Sequence, residues 1–124
     1  MRIVMTNKEK KIERLIQDIF NECQVDFDGF WRVVTNVKRE EIAIEPSEIR
    51  NVSLDIVRSL LEQGLVAGTF DHKKPVIYNN MSIDEIISMI DREWTKLGHE
   101  PNIGDIVCFA SPSLAAKIMA ERIP

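Results

Sequence analysis

Histidine, cysteine and glycine are scarce in this chain, and each scarcity removes a kind of chemistry. The two histidines, His72 and His99, have no second His and no Cys at ligand spacing, so a structural zinc site is not supported. His72 falls in a polar turn beside two lysines, and His99 follows a helix end, where an imidazolium suits the dipole. Both read as surface residues. Cys23 and Cys108 lie far apart, each in an apolar pattern, and read as buried thiols in a reducing cytoplasm. The five glycines are isolated, which leaves no phosphate-cradling loop. There is no G-x-S-x-G elbow and no catalytic context around either cysteine, so a small hydrolase lacks its nucleophile–base pair. Asp26-Phe27-Asp28-Gly29 lacks the offsets of a calcium loop and reads as a helix start with acidic caps. No metal and no cofactor is expected.

Long apolar runs are missing too. Nothing approaches the roughly 20 residues of a membrane span, and Met1 to Met5 is too short for the apolar region of a signal peptide. A basic excess is also lacking. The formal net charge is −4, which disfavours nonspecific nucleic-acid binding.

What remains is an ordinary globular composition, 44% hydrophobic and 29% charged over 124 residues, enough for one domain spanning 1–124 with its own core. The clearest element is a helix from Ser82 to Leu97. Ile83, Ile86, Ile87, Ile90, Trp94 and Leu97 form one stripe, and Ser82 with Glu85 makes a capping box. Gly98 suits the left-handed position after the last turn, and Pro101 blocks continuation. This helix is expected to be central, with the apolar run Ile103 to Phe109 returning to pack on it. Further helices are expected over Asn7 to Cys23, capped by Thr6, and over Phe30 to Val37. Two more run from a Ser53 cap to Gln63 and onward from Ser111-Pro112. Leu65 to Phe70 and Pro75 to Tyr78 read as two strands around the turn Asp71 to Lys74, and the first is a plausible free edge for a partner's sheet. Glu40 to Pro46 reads as an exposed connection with a brief strand at Ile42 to Ile44. The fold class is mainly α with one small β-hairpin, a single-domain helical bundle that looks like a winged helix in its middle part.

Acidic residues outnumber basic ones between Val25 and Gln63 and again from Met81 onward. Glu40, Glu41, Glu45 and Glu48 crowd into one connection, and Asp84, Glu85 and Asp91 lie on the polar side of the Ser82 helix with Met89 as an apolar contact point. These seven carboxylates are the candidate partner-binding residues, suited to a basic protein surface. The alternative, a winged-helix transcriptional regulator, would read DNA with the helix Ser53 to Gln63. That helix offers Arg58 against Asp55 and Glu62, a balance that repels phosphate.

The pattern Arg92-Glu93-Trp94-x-x-Leu97-Gly98-x-x-Pro101-x-Ile103-Gly104-Asp105-Ile106-x-x-Phe109, preceded by Leu60-Leu61-x-x-Gly64-Leu65, resembles small bacterial proteins of toxin–immunity gene pairs. The likeness covers Ser53 to Phe109 and consists of core and cap residues, so no binding residue is carried over from it. It implies a cytoplasmic immunity protein, as in contact-dependent growth inhibition. Such a protein is not an enzyme; it binds and blocks a cognate toxin domain, often a nuclease with a basic cleft.

Overall fold

The first helix, α1 (Asn7–Glu22), starts where Thr6 Oγ1 accepts the Glu9 amide and buries Leu15 and Ile19 on one face. The computed structural model describes residues 4–70, 74–103 and 105–122, and of Arg122 the backbone alone. After α1 come β1 (Asp28–Gly29), α2 (Phe30–Arg39), α3 (Pro46–Glu62), β2 (Val66–Thr69), β3 (Val76–Ile77), α4 (Ile83–Leu97), β4 (Cys108–Ala110) and α5 (Pro112–Arg122). The architecture is mainly helical with a small antiparallel sheet. Among the described residues, no helix is long and apolar enough to cross a membrane.

The sheet is larger than the hairpin expected. Its strands run in the order β1-β4-β2-β3, all antiparallel. The run ending at Phe109 does not simply pack on α4; it inserts as β4 between β1 and β2, with Phe109 opposite Asp28 on one side and Ala67 on the other. β2 is therefore interior, and the free edge expected at Leu65 to Phe70 does not exist. Of the predicted turn, Asp71 to Lys73 lies outside the described residues, His72 among them. No strand forms at Ile42 to Ile44; Ile42 and Ala43 are instead buried at the end of α2.

Successive residues of a strand face opposite sides of the sheet, which divides the core in two. On one side Ala67 and Phe109 meet the faces of α1 to α4. On the other, Cys108 and Ala110 meet Phe70 and the Ala115 and Ile118 side of α5. The most deeply buried helix is α2, whose Phe30, Val33, Val34 and Val37 are inaccessible to solvent. The expected centre, α4, is an outer helix that fully buries only Ile86 and Ile90. Its caps are as read, with the Ser82–Glu85 box formed in both directions and Gly98 at φ 74°.

The expected boundary at Ser53 is wrong by two turns. α3 begins at Pro46, and Ser53 lies in its buried stripe with Ile49, Ile56, Val57 and Leu60. A serine at a core position resembles a cap when only the sequence is read. Ser53 Oγ is fully buried and finds no hydrogen-bond partner among the described residues. Ser53→Ala is expected to raise stability by about 0.5–1.5 kcal/mol, because alanine removes an unsatisfied hydroxyl and favours helix. A higher urea midpoint at unchanged slope is the measurement that checks it.

Candidate partner-binding surface

α3 and α4 lie antiparallel, and two arginines of α3 fix the alignment. Arg50 Nε reaches Asp91 Oδ1 at 2.6 Å, and eight residues further on Arg58 Nη1 reaches Asp84 Oδ1 at 2.7 Å. Arg50 also donates through Nη2 to the Asp91 carbonyl and to Thr95 Oγ1. Its guanidinium carbon sits 5.1 Å from the centre of the Trp94 ring, a cation–π arrangement. Trp94 in turn meets Phe30 edge-on at 5.4 Å. Arg50 thus joins a polar surface to the core through one aromatic ring.

The seven candidate carboxylates do not form one patch. Glu48 faces α1, where it takes Lys8 Nζ at 2.8 Å. Asp84 and Asp91 face the arginines of α3. Glu85 is exposed and accepts the Ser82 amide, a bond that holds its carboxyl below the usual carboxylate range. Asp84 and Glu85 lie beside Arg58, about 15 Å along α3 from Glu48 at 1.5 Å of rise per residue. Met89, the expected contact point on that ridge, is part-buried and packs against the core.

Glu40, Glu41 and Glu45 lie together on the α2–α3 connection. Glu40 caps α2, and its carbonyl accepts Lys11 Nζ at 2.8 Å. Glu41 and Glu45 are exposed and pair with no described residue. Of the nearby cations, Lys38 pairs with Glu100 at 2.7 Å and Arg50 with Asp91, while Lys11 and Arg39 bond neutral oxygens, the Glu40 carbonyl and Asn36 Oδ1. The helix α2 ends in a Schellman motif, with the Ile42 amide bonded to the Val37 carbonyl and the Glu41 amide to that of Lys38. Glu41 occupies the position that glycine usually fills, at φ 54°. A side chain there costs about 1–2 kcal/mol.

Next to this connection lies a hollow of about 350 Å³ walled by Ile44, Pro46, Ile49 and Trp94, with Lys38, Glu100 and Arg50 at its rim. A second hollow of about 320 Å³ adjoins it past Arg50 and Trp94, reaching Thr95, Gly98 and His99. Ile44 is 75% exposed, the most solvent-accessible apolar side chain on this wall. Trp94 does belong to the core stripe, but periodicity does not show that it shares a surface with Ile44, which forms no strand. The available signal was the apolar run Ile42-Ala43-Ile44 set between Glu41 and Glu45.

The region of Asp26 to Gly29 is structural. Gly29 is the N-cap of α2, and the buried Asp28 accepts Gly29 N at 3.0 Å and Arg32 Nη1 at 2.7 Å. Burial raises the Asp28 pKa against the pull of Arg32. Burial, reinforced by Asp28, pushes the Cys23 thiol up to about 12, which keeps it protonated and unreactive at neutral pH. Among the described residues, no group of three or more His, Cys, Asp or Glu could hold a metal ion.

The chain matches no family model, no curated protein and no solved structure.

The DNA-reading alternative needs α3 free to enter a groove. α3 instead packs against α1, α2 and α4, and its Arg58 is engaged by Asp84. Lys73, half of the expected basic wing, lies outside the described residues.

Proposed function

We propose that this protein works by binding, as an immunity protein that neutralises a basic toxin domain in the cytoplasm. The toxin is a nuclease, whose cationic cleft an acidic surface would cover. The observation that carries the reading is Glu41: an exposed carboxylate with no partner, held in a backbone conformation where glycine would be more stable. With Glu45 it gives the α2–α3 connection two exposed carboxylates without a described partner, beside Lys38 and Arg50, which Glu100 and Asp91 neutralise. The resemblance of Ser53 to Phe109 to immunity proteins supports the same class.

The experiment is to read the neighbouring gene and, where it encodes a large secreted protein, to co-express that protein's C-terminal domain with this chain, followed by binding kinetics on the purified pair. Growth should be protected. Glu41→Lys with Glu45→Lys should slow association about tenfold or more at low salt, with the difference shrinking as salt rises. Asp84 and Asp91 are poorer choices, since reversing them sets lysines against Arg58 and Arg50. Glu41→Gly separates stability from binding: the fold should gain about 0.5–1 kcal/mol as the left-handed strain is relieved, while binding weakens. Absence of both protection and binding with that domain would remove the immunity reading.

A further inference from the structure

The hollow beside the α2–α3 connection has the make-up of an anchoring site. Trp and Arg dominate the residues that carry binding energy at protein interfaces, and here Arg50 lies over Trp94 at the centre of the wall. The ring is braced from below by Phe30 and from the side by the bonds Arg50 makes to Asp91 and Thr95, so its position is set before any partner arrives. Ile44, which also lines the hollow, is largely exposed, and Pro46 holds the chain at the first turn of α3. The volume suits one branched apolar side chain with part of its backbone. Charge decides what flanks that side chain. Lys38 and Arg50 at the rim are matched by Glu100 and Asp91, whereas Glu41 and Glu45, which bracket the run Ile42 to Ile44, are matched by nothing described.

We propose that this hollow receives one apolar side chain of a basic protein partner, a leucine-sized group flanked by lysine or arginine, with Glu41 and Glu45 meeting the flanking cations. This deepens the binding function above and rests on it. Affinity then divides between two physical sources. The apolar group supplies a salt-independent part through burial against Ile44 and Trp94, and the carboxylates supply a salt-dependent part through rate of encounter.

The test uses the full chain and three short capped peptides, Lys-Arg-Leu-Arg-Lys, Lys-Arg-Ser-Arg-Lys and Glu-Glu-Leu-Glu-Glu, titrated while the Ile44 methyl and Trp94 indole NMR signals are followed. The basic leucine peptide should shift both signals saturably. Ile44→Ser should weaken that binding about tenfold and leave the thermal midpoint unchanged, since Ile44 is exposed. Glu41→Gln with Glu45→Gln should weaken it at low salt only. Equal shifts from the serine or glutamate peptide would overturn the proposal, as would shifts confined to the hollow of Met81, Ser88 and Arg92 beside Asp84. Movement of the Ile44 and Trp94 signals with protein concentration alone would assign the hollow to a second copy and equally overturn it. Protection against the toxin is read separately. A protein that protects while its hollow ignores the basic leucine peptide keeps the proposed function and loses this anchor.

Discussion

Phe109→Ala is expected to cost about 3–5 kcal/mol of folding stability, the range for removing a buried aromatic side chain. Phe109 is inaccessible to solvent and stands at the middle strand position, flanked by Asp28 of β1 and Ala67 of β2. Both neighbours are poor at filling the space it would leave: Ala67 is small, and the Asp28 carboxylate is tied to Arg32 and the Gly29 amide. The Phe109 carbonyl also accepts from Cys23 Sγ at 3.4 Å, which links β4 to the end of α1. A cavity here loosens sheet and helices together. Urea unfolding should show a lower midpoint, and a thermal midpoint lower by about 10 °C or more. Phe109→Leu keeps most of the volume and should cost about 1.5 kcal/mol or less. A loss below about 1 kcal/mol in the alanine variant would mean that the two-sided core described here is not the one that holds the fold.

Gly68→Val should be nearly as damaging, for the opposite reason. A Cβ placed on Gly68 would lie 2.3 Å from the Val76 carbonyl oxygen and 2.9 Å from the tip of the Phe70 ring. The ring could swing aside, but the carbonyl belongs to β3, whose pairing with β2 rests on Gly68 opposite Ile77 and Thr69 opposite Val76. Any side chain at position 68 therefore pushes the edge strand away. Overpacking of this kind costs about 3 kcal/mol at the upper end of its usual range, and valine adds bulk to the clash. Gly68→Ala should already lose much of that. Amide exchange supplies the specific signature, with protection falling first at Tyr78, whose amide bonds the Ala67 carbonyl at 2.9 Å. Unchanged protection at Tyr78 together with unchanged stability would contradict the crowding.

Much of the helical content was legible because it is written locally. The Thr6 cap, the Ser82–Glu85 box, Gly98 in the left-handed region and Pro112 at the start of α5 are each settled within a turn of chain. The errors lie where distant residues decide. Ser53 looks like a cap because its hydroxyl usually is one, and only the packing of α3 against α1, α2 and α4 turns its position inward. β1 and β4 are two and three residues long, too short for period-two alternation to appear, and they are strands only because partners bond to them. The candidate site shows the same division. Its carboxylates can be counted in the sequence, but which of them stay free of partners depends on Arg50, Arg58 and Lys8 arriving from other helices.

The sequence by itself determined the helix-rich class, the helix ends and the acidic character, because capping, periodicity and charge act between near neighbours. The tertiary structure alone decided that β4 joins two sheet edges, that α2 and α3 rather than α4 hold the centre, and that Ile44 and Trp94 face one hollow beside Glu41. Those outcomes depend on contacts between residues many positions apart, and no local pattern encodes which distant surfaces meet.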